Sequence, residues 1–249
     1  MDVVYTIWLR NLKRYLRSKS RIVGSLGMPL FFLIILGSGL NPLVKTGQAE
    51  SYMGFIVPGV VAMSVLFTSM FSGIQVIWDK QFGFLKETLV APISRMEIML
   101  GQTLGGATTS VIQGLLTLII ALLIGSGLHF TVTGYLTAIG FMVLIGISFT
   151  ALGIAFASKM DDMHGFQLIM NFVIFPLFGL SGAMFPISTL PNWLKTLSYF
   201  DPLTYGVQGI RYGLLGTSEI HPLTCLAALL TFTGATLLLG QQLFKKIKI

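Results

Sequence analysis

Ser181 and His221 are the residues of this chain whose types could form a catalytic pair. Ser181 stands in the stretch Gly179-Leu180-Ser181-Gly182, a G-x-S-G pattern, and His221 precedes the last apolar run. Serine–histidine catalysis needs the two side chains within hydrogen-bond reach, together with donors for an oxyanion. Small residues such as Gly and Ser also recur wherever membrane helices pack closely. The pattern therefore allows a protease and favours helix packing.

Other reactive groups are sparse. The chain has no G-x-x-x-x-G-K-[ST] motif for holding ATP, and its three His and one Cys are too isolated to predict a metal site (His129, His164, His221 and Cys225). No Lys, Arg, Asp or Glu interrupts the long apolar runs. Transporters that couple themselves to a proton or cation usually carry ionisable groups at membrane depth, so this chain shows no energy source of its own. We therefore expect a partner to supply the energy.

The apolar runs predict six membrane-spanning helices. A span needs about 20 apolar residues, and the charge-free runs cover residues 22–44, 51–78, 98–158, 163–194 and 220–244. The run 98–158 is long enough for two spans, with a turn at Gly125-Ser126-Gly127. The predicted spans are 22–40, 54–78, 103–125, 132–158, 165–185 and 222–244. With 54% hydrophobic and 10% charged residues, the chain is predicted to be one all-α polytopic membrane domain over residues 1–249.

Basic residues predict the orientation. Thirteen of the 16 Lys and Arg residues fall before span 1, between spans 2 and 3, between spans 4 and 5, or after span 6. The other three are Lys45, Lys195 and Arg211. Because basic residues concentrate on the cytoplasmic side, both termini are predicted to be cytoplasmic, in a multi-pass protein of the cell membrane. The net charge of +7 is thus explained by topology, and no nucleic acid partner is expected.

Two segments outside the spans are predicted to be amphipathic helices on the cytoplasmic side. Residues 1–21 place Val4, Trp8, Leu12 and Tyr15 or Leu16 on one stripe, as an interfacial helix does. In the loop 79–97, Phe82, Leu85 and Leu89 recur at helical spacing, with Lys86 and Glu87 off that face, before Pro92 ends the helix. Each helix could lie on the membrane surface or occupy the groove of a soluble partner.

The segment 186–219 is too apolar for a solvated loop and too short to span. Residues 191–199 and 202–215 are predicted to be two short helices, the second capped by Asp201 with Pro202 at its first position. Such a pair fits a re-entrant hairpin shielded by protein, or a pair of helices lying at the interface. Glycines 101, 105, 106, 140, 146 and 153 are predicted to give small faces for packing between spans.

Three stretches, in chain order, resemble the permease subunits of type-2 ABC transporters. They are Val57-Pro58-Gly59-Val60 in span 2, the loop run Leu85-Lys86-Glu87-Thr88-Leu89-Val90-Ala91-Pro92-Ile93-Ser94-Arg95, and the stretch from Leu180 to Arg211 with Phe185-Pro186, Leu190-Pro191-Asn192-Trp193-Leu194 and Asp201-Pro202-Leu203-Thr204-Tyr205-Gly206. The resemblance covers essentially the whole chain. It is strongest to the bacterial and archaeal drug-efflux branch, which includes the daunorubicin-resistance and nodulation-export permeases. One departure is Asp201, where the family has Asn.

The resemblance implies a dimer of permeases, either two copies or a sister pair, served by separate ATP-binding-cassette subunits that hold ATP and Mg. It implies no cofactor and no catalytic site in this chain. The contacts with the ATPase would be a coupling helix around Phe82, Leu85, Lys86, Glu87 and Leu89, together with Trp8 and Leu12 of the amino-terminal helix. The re-entrant hairpin would close the outer mouth through residues that include Phe185, Trp193, Asp201, Pro202, Tyr205 and Arg211.

By the same analogy, spans 2 and 5 would line a substrate cavity at the dimer axis. The candidate lining residues are Met63, Phe67 and Phe71 on span 2, with Asn171, Phe175 and Phe178 on span 5; ordinary helix packing would account equally for each of them. A lining rich in Phe and Met suits a hydrophobic or amphipathic cargo such as a drug or lipid.

The expected function is thus the membrane subunit of an exporter that works by alternating access, with multidrug efflux as the family analogy. Three alternatives remain at this point. A polysaccharide or glycolipid exporter would have the same fold. A secondary transporter would show broken helices in matching halves, and Pro58 and Pro176 offer only a weak version of that pattern. A rhomboid-like intramembrane protease would use Ser181 and His221.

Overall fold

Six candidate membrane spans organise the fold. The computed structural model describes residues 2–39, 51–84, 93–125 and 131–245. Within those ranges the regular structure is helical, with no strand. The helices long and apolar enough to cross a membrane are Lys19–Ser38, Tyr52–Gln81, Arg95–Leu123, Val132–Ala157, Met163–Leu180 and Pro222–Lys245. They are called spans 1 to 6 below, and they confirm the prediction of an all-α, six-span protein. Of the predicted turn between spans 3 and 4, Ser126 and Gly127 lie outside the described residues.

An additional helix, Asp2–Arg17, precedes span 1. It corresponds to the predicted amphipathic segment and is called the amino-terminal helix. The chain leaves helical geometry at Ser18, and span 1 begins at Lys19. Span 1 is α-helical to Phe31 and then π-helical over Phe32–Ser38, just beyond Pro29. A proline within a helix removes one backbone hydrogen bond, and the helical geometry changes one turn after it.

Span 2 lies at the centre of the molecule. Of the residues in its apolar stretch, 83% are buried, against 17% for span 1 and 22% for span 5. It contacts spans 3 and 4 along much of its length. A small break at Gly73 divides it into Tyr52–Ser72 and Ile74–Gln81. Span 2 is therefore the scaffold of the bundle, whereas spans 1 and 5 have surfaces that nothing in the described part of this chain covers.

Glycines permit the closest approach between spans 2 and 4. A Cβ atom added at Gly73 would lie 2.5 Å from the backbone of Gly153, and one added at Gly153 would be 2.4 Å from the carbonyl oxygen of Met70. Only glycine leaves room for backbones this close. The prediction of a small packing face is thus confirmed at Gly153. It is wrong at Gly140 of the same span, where an added Cβ would meet no atom within 4 Å.

Two short helices follow span 5 after a 3-10 turn at Ile187–Thr189. They are Asn192–Phe200 and Pro202–Leu215, which agree with the predicted bounds to within one residue. The first, here the exposed short helix, presents Trp193 and Phe200, which are 66% and 82% exposed. The second, here the buried short helix, packs against spans 2, 4 and 6. The second helix is therefore shielded by protein on several sides, and the first is not.

Candidate functional site

The amino-terminal helix packs along span 3 through two glycines. A Cβ atom at Gly101 would lie 2.8 Å from Cβ of Ile7, and one at Gly105 would lie 2.6 Å from Nδ2 of Asn11. Trp8 faces the same way, because its indole N–H donates to Oγ1 of Thr108 at 2.9 Å. Trp8 and its neighbour on the stripe, Leu12, are both half-buried. The predicted stripe therefore contacts span 3 of this chain through Trp8 and Tyr15, whereas its placement of Leu16 was wrong: Leu16 lies with Tyr5 on the exposed side of the helix.

A buried carboxylate joins that helix to spans 2 and 3. Asp79, near the end of span 2, is 6% exposed. It accepts hydrogen bonds from Nη2 of Arg10 at 2.8 Å, from Nε2 of Gln75 at 2.7 Å and from Nε2 of Gln102 at 3.0 Å. The same Gln102 accepts from Nδ2 of Asn11 at 2.8 Å. Charge-assisted bonds of this kind are about twice as strong as neutral ones. The five residues, here called the Asp79 cluster, fix three helices to one another.

Phe82 and Phe84 follow Asp79 of this cluster in the chain by three and five positions. Span 2 ends at Gln81, and Gly83 has φ of 78°, a left-handed conformation that stops a helix. The predicted amphipathic helix therefore cannot begin at Phe82, which is 73% exposed and stacks on Trp78 with ring centroids 5.4 Å apart. The guanidinium of Arg10 lies 4.3 Å from the ring centroid of Phe84. Leu85, Lys86, Glu87 and Leu89, the other predicted coupling residues of the loop, lie outside the described residues.

The predicted loop 79–97 is shorter than expected at both ends, because spans 2 and 3 extend into it. Asp79 and Lys80 belong to span 2, and span 3 begins at Arg95 with a capping box between Ser94 and Glu97. The residues just before span 5 contact the end of span 2, because Nζ of Lys80 lies 2.7 Å from Oδ1 of Asp161.

Asp162, the next residue, caps the amino terminus of span 5. It accepts hydrogen bonds from the backbone N–H groups of Gly165 and His164, at 2.6 and 3.2 Å, and these bonds lower the pKa of its carboxyl. The cap stays ionised at neutral pH, which suits a helix amino terminus.

An open cavity of about 450 Å³ lies among spans 1, 2 and 5 and the amino-terminal helix. Its wall includes Met63, Phe67 and Phe71, the three residues predicted on span 2. It is lined by Tyr15, Arg21, Gly24, Ser25, Met28, Pro29, Met63, Ser64, Phe67, Thr68, Phe71 and Gln167. This volume falls within the range of about 300–1,000 Å³ that small-molecule sites occupy.

The three residues predicted on span 5 lie elsewhere. Phe178 is buried against Phe32 of span 1, with ring centroids 5.6 Å apart. Phe175 makes an edge-on contact of 5.8 Å with Phe67 and is otherwise 47% exposed, and Asn171 is half-buried. None of the three lines the cavity, to which span 5 contributes Gln167 instead. Phe178 thus packs between spans 1 and 5, whereas Phe175 contacts Phe67 and keeps an exposed face.

A smaller polar crevice of about 30 Å³ adjoins this cavity and shares Tyr15 and Arg21 with it. It is lined by Asn11, Arg14, Tyr15, Arg21, Ser72, Gln75, Gln102, Gly105, Gly106 and Thr109. Tyr15 is 3% exposed and donates to Oε1 of Gln113 at 2.6 Å. The same region thus joins an apolar cavity to a polar wall that contains two guanidinium groups.

The buried short helix is fixed by two ionisable residues. Asp201 caps it, accepting from the backbone N–H of Leu203 at 2.9 Å, which confirms the predicted cap with Pro202 at the first position. Burial raises the pKa of Asp201 to about 7. Arg211 is fully buried, donates to the carbonyl of Gly182 at 2.9 Å and lies 4.1 Å from the ring centroid of Phe55. Arg211 is therefore enclosed by protein, and its role at the outer mouth stays a prediction.

The other residues predicted at the outer mouth do not form one cluster. Tyr205 donates to the carbonyl oxygen of Tyr199 at 2.8 Å, which ties the two short helices together. Phe185 and Trp193 are 52% and 66% exposed. Their roles as a gate stay a prediction.

Ser181 and His221 have separate local partners. The Ser181 hydroxyl, fully buried, donates to the carbonyl oxygen of Phe178 at 2.7 Å. Nδ1 of His221 accepts from the backbone N–H of Leu223 at 3.3 Å, at the start of span 6. Both groups are thus satisfied by the backbone of their own helices, as packing and capping residues are.

The residues that sequence reasoning missed are Arg10, Asp79 and Gln102, together with Arg21 at the cavity. Gln102 carried a usable signal, because it is a side-chain amide inside a charge-free run, and polar groups in membrane helices need partners. The partners of Arg10, Asp79 and Gln102 depend on contacts between residues 23 to 91 positions apart, and no pattern in the sequence displays those contacts.

Comparison with known proteins places the chain in a family. A family model described as ABC-2 type transporter matches residues 2–215. The inner membrane transport permease YadH of Escherichia coli (strain K12) is 28% identical over 247 residues, covering 97% of this chain and 94% of the relative. Nodulation protein J of Rhizobium leguminosarum bv. viciae is 26% identical over 247 residues, covering 96% and 94%. Nodulation protein J of Rhizobium meliloti (strain 1021) is 26% identical over 245 residues, covering 95% and 92%. Because the family model covers most of the sequence, and relatives of nearly the same length are transport permeases, this chain belongs to the ABC-2 type transporter permeases, the membrane subunits of ABC transporters.

Proposed function

We propose that this chain is the membrane subunit of an exporter that moves hydrophobic or amphipathic molecules outward, driven by a separate ATP-binding-cassette subunit. The observation that carries the proposal is the Asp79 cluster. It joins the amino-terminal helix, span 2 and span 3 directly beside the exposed Phe82. A force applied at Phe82 and the loop that follows is thereby applied to three helices together, which is what coupling between subunits requires.

The amino-terminal helix would move together with spans 2 and 3, to which it is bound. Its stripe with Trp8 and Leu12 contacts span 3, so the ATPase would contact the opposite face, around Tyr5 and Leu16. The contact made by Trp8 and Leu12 themselves is then indirect. Leu85, Lys86, Glu87 and Leu89 would supply the remaining contact surface, as the family resemblance implies.

The proposed mechanism is alternating access. ATP-driven closure of the partner subunits would displace the segment after span 2 and thereby the cytoplasmic end of span 2. The same span lines the cavity with Met63, Phe67 and Phe71. Span 1 and span 5 are the least buried spans, so their packing is the easiest to change. A second permease copy, identical or a sister chain, would cover their exposed faces.

Both termini are proposed to be cytoplasmic, in the cell membrane. The support is the distribution of basic residues, which becomes more uneven once the buried Arg211 is set aside: thirteen on the proposed cytoplasmic side against Lys45 and Lys195 on the other. The apolar lining of the cavity by Met28, Pro29 and Phe67 favours a lipid-like or drug-like cargo over a free polysaccharide.

The test is photocrosslinking in cells from two exposed aromatic positions. A photoreactive amino acid replaces Phe82 in one variant and Trp193 in another, because both side chains are more than half exposed. They occupy different ends of the proposed topology. We expect the Phe82 variant to crosslink to an ATP-binding-cassette subunit that also copurifies with the tagged protein, and the Trp193 variant not to. A permease that purifies alone and crosslinks to no ATPase from position 82 would refute the proposal.

A further inference from the structure

The cavity among spans 1, 2 and 5 has an apolar wall and a cationic end. Its lining includes the apolar side chains of Met28, Pro29, Met63, Phe67 and Phe71, and Arg21 lies in the wall that it shares with the polar crevice. On the crevice side, Arg14 and Arg21 are joined by Asn11, Gln75 and Gln102. An apolar chamber that ends at guanidinium groups is complementary to an amphiphile, which has an apolar tail and a polar head group.

Among the described residues, the charge in this region has no acidic partner. None of the described residues that line the cavity or the crevice is Asp or Glu. The nearby carboxylate of Asp79 already accepts from Arg10, Gln75 and Gln102. Within the described part of the chain, neither Arg14 nor Arg21 forms an ion pair. Two cations without a counter-charge at the edge of an apolar cavity favour an anionic group there.

We propose that this cavity binds an amphiphile with an anionic head group, such as a phosphate monoester, and that Arg21 binds the head group while the apolar wall holds the tail. Arginine suits this role because its planar guanidinium donates two parallel hydrogen bonds to a phosphate or carboxylate. Thr68 and Gln167 line the same wall and can donate further hydrogen bonds. Arg14 lies 5.7 Å from the ring centroid of Trp78 and adds to the positive potential.

Two sources could supply such a molecule: a lipid of the bilayer, or the exported cargo. That the ligand is transported rests on the function proposed above, whereas its binding does not. The source is therefore determined by adding ATP to the complex. Loss of bound ligand on ATP addition identifies cargo, and ligand that stays bound identifies a resident lipid. Both results leave the site in place.

The binding test uses a matched pair of probes on the full-length protein in phosphatidylcholine nanodiscs. One probe is hexadecyl phosphate with a diazirine in its chain, and the other is the corresponding uncharged hexadecanol. After irradiation, labelled peptides are quantified by mass spectrometry. We expect the phosphate to label spans 1 and 2 at least about tenfold more than the alcohol, the effect of one charge-assisted contact.

Arginine variants separate a specific contact from general attraction to the membrane surface. Arg21→Gln should lower labelling by the phosphate probe about tenfold, and Arg21→Lys, which keeps the charge but loses the paired donors, should retain only part of it. Arg17→Gln removes the same charge from an exposed residue that lines neither cavity, and should leave labelling unchanged. Equal labelling by the two probes, or an equal loss in the Arg21→Gln and Arg17→Gln variants, would overturn the proposal.

Glycine variants test the cavity without touching any charge. Gly24 lines the cavity and Gly27 does not, and an added Cβ meets no atom within 4 Å at either position. The first atom of a new side chain therefore has room at both positions, and leucine improves helix propensity equally at both. Gly24→Leu should fill the cavity and reduce labelling at least about fivefold, whereas Gly27→Leu should not. Labelling that survives Gly24→Leu would place the probe elsewhere and refute the site, even if both Arg21 variants fail to fold.

Discussion

The ion pair between Arg10 and Asp79 should stabilise the protein far more than the one between Lys80 and Asp161. The two pairs have almost the same length, 2.8 and 2.7 Å, and Asp79 and Lys80 are adjacent. They differ in exposure, because the side chain of Asp79 is 7% exposed and that of Asp161 is 89% exposed. An exposed pair contributes about 0–1 kcal/mol. Breaking a fully buried pair costs about 3–5 kcal/mol.

The magnitude for the buried pair follows from its geometry. Arg10 retains 28% exposure, so water partly solvates the cation that is left when Asp79 is replaced. We therefore expect a coupling energy of about 2 kcal/mol between Arg10 and Asp79, below the value for full burial. At about 2–4 °C per kcal/mol for a chain of this size, the variant Asp79→Asn should melt about 4–8 °C lower. The variant Lys80→Gln should shift the melting temperature by about 4 °C or less.

The assay is a pair of double-mutant cycles in one detergent at one scan rate. The first combines Arg10→Gln with Asp79→Asn, and the second combines Lys80→Gln with Asp161→Asn. Each cycle isolates the term specific to its pair, so the loss of the contact between Arg10 and Phe84 cancels. Additive melting shifts in the first cycle, or an equal coupling in both, would refute the argument from burial.

Three further predictions concern other parts of the molecule. Gly153→Ala should destabilise the protein by about 1–3 kcal/mol in thermal unfolding, because the added Cβ would clash with the backbone of span 2. Gly140→Ala should be neutral or stabilising by up to about 1 kcal/mol. Equal effects of the two variants would refute the packing assignment. Burial raises the pKa of Asp201 to about 7, so the folded chain keeps a proton that the unfolded chain has released, and stability should fall as pH rises from about 4 to 7. Melting curves of Asp201→Asn, which keeps the cap oxygen, should lose that pH dependence; an unchanged decline would assign it to another group. Phe82→Ala and Glu87→Ala should uncouple ATP hydrolysis from transport in proteoliposomes while the melting temperature stays within about 2 °C, and unchanged transport by both would refute a coupling role.

The helices were predictable from the sequence where charges or caps mark their ends. Span 4 was expected at 132–158 and is Val132–Ala157. The buried short helix, Pro202–Leu215, has the predicted bounds because Asp201 and Pro202 start it and Gly216, with φ of 73°, stops it. These signals are local, since each acts within a few residues of the position that it determines.

What the sequence could not show is which side of a helix meets which neighbour. Gly140 and Gly153 belong to one span and differ only in what faces them. Arg211 looks like a loop cation until Phe55 and Gly182 are brought around it. Trp8 could have faced a partner, and its indole is instead bound to Thr108 of span 3. Each of these facts depends on pairs of residues far apart in the chain, which only the packed bundle brings together.

The open space around Gly24 bears on how such permeases could diversify. In a packed interior, a larger side chain must displace its neighbours, so a change in binding carries a cost in stability. At Gly24 no atom lies within 4 Å of where a side chain would begin, and the position lines the cavity. The size and polarity of the chamber could therefore be altered by single substitutions at this position while the scaffold stays intact. If the chamber holds cargo, selectivity could evolve there independently of folding.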